Sequence, residues 1–202
     1  MEDDLKKILK GYKAFRNKYV HSDASIMYHL HRNGQQPKVM VIACCDARVD
    51  PALILQCDPG DLFVVRNVAN IVPPYEKDTR HHGTSAALEF GICLLNIAHL
   101  IVLGHSQCGG IKALLEGERL QQDDFITNWV ALIKQPDCEK YQVDDYAKLS
   151  LEQSHQNCMT FPWIKEKTEA GALTIHLWFF DIQRGQVYTY SNAKKRYEAL
   201  LD

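Results

Sequence analysis

Two short segments hold the residues most able to do chemistry, Cys44-Cys45-Asp46-Ala47-Arg48 and His105-Ser106-Gln107-Cys108. Together they offer two thiolates, one imidazole and a carboxylate two residues from a thiolate. Sulfur and imidazole donors in combination select zinc among the common divalent ions. A structural zinc is closed by four protein ligands, whereas a catalytic one keeps a position open. Here the fourth position is contested between water and Asp46, so the chemistry on offer is that of an activated water.

Both segments follow apolar, β-branched runs of strand length, Val39-Met40-Val41-Ile42-Ala43 and Leu100-Ile101-Val102-Leu103. Leu62-Phe63-Val64-Val65 reads as a further buried strand, Leu173 through Phe180 as a fourth, and Val187-Tyr188-Thr189-Tyr190 as a short fifth. Helical spacing of apolar residues covers 4–20 (Leu5, Ile8, Leu9, Tyr12, Phe15, Tyr19), and a second helix is expected over about 24–32. Pro51 suits the first turn of a helix. Thr84 or Ser85 can cap a helix running to about Ala98. The stretch 109–168 is largely helical, interrupted near Pro136 and Pro162, and a last helix closes the chain. Continuously apolar strands joined by helices predict an α/β fold with a mainly parallel central sheet of about four to five strands, flanked by helices. The 202 residues suit one domain, with residues 1–34 as an N-terminal helical arm and 35–202 as the α/β core.

In open α/β sheets, ligands bind beyond the carboxyl ends of the strands where the strand order reverses. Cys44 and His105 would face one crevice if their strands are neighbours and the Leu62 strand lies on the far side of the first. Cys108, at a helix start marked by Gly109-Gly110, can converge on the same ion, and the helix dipole favours its thiolate. A lone cysteine at a strand end is usually a small buried hydrophobe. The two motifs together outweigh that reading. Cys45 should point away from Cys44 and pack, and Cys57, Cys93, Cys138 and Cys158 read as core or incidental thiols. His81-His82 could shuttle protons or bind a metal, but a structural or solvated role fits better. His21, His29, His31, His99, His155 and His176 show no ligand-like spacing.

A net charge of −2 gives no reason to expect nucleic acid or an anionic membrane as a partner. No apolar run approaches the ~20 residues of a membrane span, and the first residues do not read as a signal peptide. A cytoplasmic location follows as the expectation. Seven cysteines, an odd and unevenly spaced set, suit metal binding and buried thiols rather than a disulfide framework.

The combined pattern resembles the β-class carbonic anhydrases, and its wording is closest to their plant-like branch. Beyond Cys-x-Asp-x-Arg and His-x-x-Cys-Gly-Gly, the resemblance rests on Val64-Val65-Arg66-Asn67-Val68-Ala69-Asn70, Val72-Pro73-Pro74 and Gly83-Thr84-Ser85-Ala86-Ala87-Leu88-Glu89-Phe90. Thr160-Phe161-Pro162 and His176 through Ile182 are similar to later segments of the family. The resemblance implies zinc, one per subunit, held by Cys44, His105 and Cys108, with Asp46 and Arg48 as a carboxylate–guanidinium dyad. It implies reversible hydration of carbon dioxide to bicarbonate and a proton by hydroxide generated at the zinc. Gln35, nine residues before Cys44, would orient substrate across a subunit boundary. Phe63, Val68, Phe90 and Gly109 would complete the substrate pocket. Phe90 stands where plant-like members often carry Tyr, and Ala47 where the common motif has Ser. A homodimer, or a tetramer built from dimers, with embracing N-terminal helices is implied as well.

Three other readings remain at this level. A non-catalytic zinc protein would use Asp46 as a permanent fourth ligand, but would need neither Gln35 nor an apolar wall. A thiol redox protein would need more than adjacent Cys44 and Cys45, which cannot easily form an unstrained disulfide. A nicotinamide-dependent enzyme would show Gly-x-Gly-x-x-Gly after a strand, and none is present.

Overall fold

The β-branched run 39–44 forms the strand on which the sheet is organised. The computed structural model describes residues 2–21, 24–78, 81–117, 124–134 and 141–201. Its strands are β1 (Val39–Cys44), β2 (Leu62–Asn67), β3 (His99–His105), β4 (Thr174–Asp181), β5 (Gln186–Ser191) and β6 (Arg196–Ala199), in the order β2-β1-β3-β4-β5-β6. The first four are parallel, and β5 and β6 are added antiparallel. β1 and β3 are neighbours with β2 on the far side of β1, so the order reverses between the two strands that carry the motifs, as expected.

Helices α1 (Glu2–Tyr19) and α2 (Ile26–Asn33) precede the sheet, and α3 (Pro51–Ile54) follows β1 with Pro51 in its first turn. The later helices are α4 (Gly83–Glu89), α5 (Gly109–Glu116), α6 (Phe125–Val130), α7 (Val143–Cys158) and α8 (Pro162–Glu169). The main core joins Met40, Ile42, Leu100, Val102, Leu177 and Phe179 on one sheet face to Leu88, Ile92, Ile111, Leu151 and Ile164 of the helices. Gly104 marks the closest approach, since a Cβ there would meet the Leu151 side chain at 3.1–3.3 Å. A smaller apolar cluster of Val41, Ala43, Ile101 and Leu103 occupies the opposite face.

Four expectations need correction. β2 is a half-buried edge strand rather than a buried one, because nothing pairs with its outer side among the described residues. Neither Thr84 nor Ser85 caps α4. The helix begins at Gly83, the Thr84 hydroxyl accepts from Asn67 Nδ2 at 3.3 Å, and the Ser85 hydroxyl is buried without a partner. That helix also stops well short of Ala98: one wide π turn over Phe90–Leu94 ends it, and Asn96 takes a left-handed φ of 53°. Finally, the chain does not close on a helix. Residues 196–199 form β6, paired to β5 through a turn in which Lys195 has φ 54°. Cys138 and Pro136 lie outside the described residues.

Candidate metal centre

Cys44 is the last residue of β1, His105 the last of β3, and Cys108 the N-cap of α5. The parallel register of β1 and β3 brings the strand ends side by side, and a turn at Ser106-Gln107 returns Cys108 to them. All three side chains are buried, and their donor atoms lie within 4.8 Å of one another. Two thiolates each about 2.3 Å from an ion at a tetrahedral angle stand about 3.8 Å apart. Cys44 Sγ and Cys108 Sγ are 4.0 Å apart.

His105 has its donor set arranged in the same sense. Its Nδ1 lies 2.9 Å from the carbonyl oxygen of Ser106, which accepts the ring proton and leaves Nε2 as a lone pair. That Nε2 is buried with no hydrogen-bond partner, a costly arrangement unless something electrophilic occupies the site. The sulfurs are prepared too: backbone N–H groups of Asp46 and Ala69 point at Cys44, and those of Gly110 and Ile111 at Cys108. The thiol–thiol hydrogen bond lowers the pKa of Cys44 and raises that of Cys108, while burial opposes ionisation of both. The pair keeps one proton between two sulfurs, and a dication lets both ionise.

Asp46 stands outside this triad in a bidentate clasp. Arg48 Nε and Nη2 donate to its two carboxylate oxygens at 2.9 and 2.7 Å, and the Arg48 backbone N–H adds 2.9 Å. The guanidinium hydrogen bond holds the Asp46 carboxyl far below the ordinary carboxylate range. Arg48 is itself anchored by the Gln107 carbonyl at 3.2 Å, which links the two motifs.

Two positioning residues escape a motif reading. Arg66, on β2, donates to the carbonyls of Cys44 and Asp46 at 2.9 and 2.7 Å and to the Asp50 carboxylate at 2.7 Å. It belongs to the Val64–Asn70 block, but only the β1–β2 pairing shows what it grips. Asp144, in the first turn of α7, accepts from the Gln107 backbone N–H at 2.7 Å and from its side-chain amide at 3.2 Å. Gln107 has φ 53°, a strained value for a residue with a Cβ. Arg66→Ala is expected to lower stability by about 2 kcal/mol or more, from the loss of charged hydrogen bonds, and to speed zinc release to a chelator. Urea denaturation together with a chelator time course checks this, and wild-type behaviour in both would show that the 44–50 loop holds itself.

The residues expected to line a substrate pocket fall in two places. Val68 touches the α5 start so closely that a Cβ on Gly110 would lie 2.7 Å from its Cγ1, and Gly109 is exposed beside Cys108. Phe63 and Phe90 stack on each other at 5.9 Å toward the amino end of β2, against Gly91. Gln35 is exposed ahead of β1, so it is separated from the ligands of its own chain by about the 17 Å of that strand. Cys45 is exposed rather than packed, Cys57 and Cys93 are half-buried, and Cys158 is buried. His82 pairs with Asp78 at 2.7 Å and takes no part in the triad.

The carbonic anhydrase family model matches residues 39–187. A chloroplastic β carbonic anhydrase of Arabidopsis thaliana is 38% identical over 185 residues, covering 86% of this chain. The chain belongs to the β-class carbonic anhydrases. It spans 60% of that Arabidopsis relative's length, and 72% of a carbonic anhydrase of Synechococcus elongatus to which it is 31% identical over 93% of its own. Among solved structures, the β-carbonic anhydrase CcaA superposes with a TM-score of 0.85 at 30% identity, over 97% of this chain and 99% of that one. Carbonic anhydrases of this class are zinc enzymes that hydrate carbon dioxide reversibly, and the buried Cys-His-Cys group is where this chain could hold the ion.

Proposed function

We propose that this chain hydrates carbon dioxide to bicarbonate and a proton, with zinc held by Cys44, His105 and Cys108 in a site completed by a second copy. The observation that carries this reading is the orphaned, buried Nε2 of His105 facing two sulfurs that are 4.0 Å apart. When bound, zinc supplies hydroxide from water near neutrality, less readily than under three neutral imidazoles because two thiolates cancel its formal charge. Asp46, kept ionised and aimed by Arg48, accepts the hydrogen bond that orients the nucleophile. Val68 and Gly109 form the near wall and keep competing water out.

Phe63 pairs with Met40, four residues short of Cys44, Phe90 stacks on Phe63, and Gln35 precedes β1, so in this reading the three serve the neighbouring copy. Two features support that arrangement. Phe90 and Gln35 are exposed. One face of α1 also presents Leu5, Ile8, Leu9 and Tyr12 to solvent, each more than half exposed, as an arm covering residues 1–34 would if it packs on a partner. The working unit is then a homodimer, alone or within a tetramer, around the α/β core of 35–202. No described helix is long and apolar enough to cross a membrane. The thiolate donors and unpaired cysteines suit a reducing compartment, which we take to be the cytoplasm.

Stopped-flow hydration by the zinc-loaded protein tests the reading. The rate is expected to climb from neutral into alkaline pH, because the water loses its proton late. A profile flat from acid to alkaline pH would sink the charge argument, and zinc-replete protein inactive at every pH would sink the function.

A further inference from the structure

At the amino ends of β3 and β4 the register sets His99 opposite Thr174 and Ile101 opposite His176. Opposed residues share a sheet face, and side chains two apart along a strand return to it. His99 and His176 therefore stand diagonally on one face, although 77 residues separate them and sequence spacing gave no hint of the meeting. Nδ1 of His99 lies 3.3 Å from Nε2 of His176, and the rings are tilted by 50° rather than stacked.

At 3.3 Å the two nitrogens are within reach of one weak N–H···N hydrogen bond, and the same spacing admits a second arrangement. It is the separation of two nitrogens that each stand about 2.0–2.1 Å from one ion at a tetrahedral angle, which comes to about 3.3 Å. The surroundings also favour a lone pair on His176. Burial, followed by electrostatic coupling to the neighbouring His99, lowers the pKa of His176, which favours its neutral ring. His99 is exposed, so an ion has access from solvent. Cys44, His105 and Cys108 are the only group of three or more potential ligands among the described residues, so the two imidazoles act without a third side chain.

We propose that His99 and His176 form a second metal site, a two-imidazole chelate for a borderline divalent transition ion such as zinc or cobalt(II), with water in the remaining positions. Imidazole donors select such ions over magnesium and calcium. The site is remote from the Cys44-His105-Cys108 triad: His99 begins the strand that His105 ends, a span of about 20 Å. Occupancy would pin β3 to β4 at the end of the sheet away from the chemistry. Trp178, two residues beyond His176, has its ring 6.3 Å from that imidazole and serves as a built-in reporter.

The test titrates zinc-loaded protein with cobalt(II) chloride while following indole fluorescence, with bound cobalt and resident zinc counted by elemental analysis. Open-shell cobalt at the pair quenches Trp178. We expect saturable quenching that excess zinc reverses, since closed-shell zinc competes for the same imidazole donors without quenching. His99→Gln, at an exposed position where folding is unaffected, weakens the effect at least about tenfold. Trp178→Phe removes the quenching and leaves the bound cobalt in place. Equal quenching and cobalt content in wild type and His99→Gln would overturn the proposal and leave the pair as a hydrogen bond.

Discussion

Cys108→Ser is expected to strip the zinc and to lower carbon dioxide hydration by more than about a hundredfold, beyond the loss seen when only an outer partner of a ligand is removed. A serine hydroxyl does not ionise near neutrality, so the site loses one of the two charges that balance the ion. The backbone N–H groups of Gly110 and Ile111 that favour a thiolate then face a neutral oxygen. Cys44 and the orphaned His105 Nε2 remain, two donors where three are needed. Zinc per chain and stopped-flow rate, taken beside a circular dichroism spectrum, decide the matter. A folded variant with full zinc and wild-type rate would place the ion elsewhere.

Asp46→Asn is expected to behave differently, retaining zinc while losing about 10²-fold or more in kcat, the scale of a positioned proton acceptor. An amide presents one acceptor oxygen where the carboxylate presents two, so the two-point grip of Arg48 at 2.9 and 2.7 Å cannot persist. The pairing partner and the acceptor for the nucleophile's proton are lost in one substitution. This variant also separates the reading from a closed structural zinc, in which removing the Asp46 charge would release the metal. Zinc loss with Asp46→Asn would favour that rival. Arg48 holds the Asp46 carboxyl well below its ordinary range, so its stabilising charge is present at neutral pH and is lost only as pH falls through that depressed value. Activity changes between pH 6 and 9 therefore belong to the activated water and not to Asp46.

The triad was legible in the sequence because its three residues end strands or start a helix, and local signals report such positions well. β-branched runs stop at Cys44 and His105, and Gly109-Gly110 announces α5. Other features depended on contacts that no local pattern carries. The segment around Lys194 to Leu200 has good helix formers, yet Tyr197 packs against Phe179 and Tyr190 and its hydroxyl reaches the Lys148 carbonyl, so pairing to β5 overrides propensity. Arg66 is one basic residue among many until β2 lies beside β1 and its guanidinium spans Cys44, Asp46 and Asp50. That Val68 lies beside the triad while Gln35, Phe63 and Phe90 lie away from it is likewise a matter of which strand end each residue occupies, a property of the assembled sheet.

The left-handed Gln107, held by Asp144, carries one more implication. The short stretch between His105 and Cys108 is bent by a carboxylate supplied from the start of α7, 37 residues further along. The His-x-x-Cys phrase is therefore not a portable cassette. Grafted onto another parallel sheet without an acid at the matching place on a distant helix, it would keep the sulfur and imidazole but lose the bend that returns Cys108 to them. A designer borrowing this centre must transplant α7's first turn along with it.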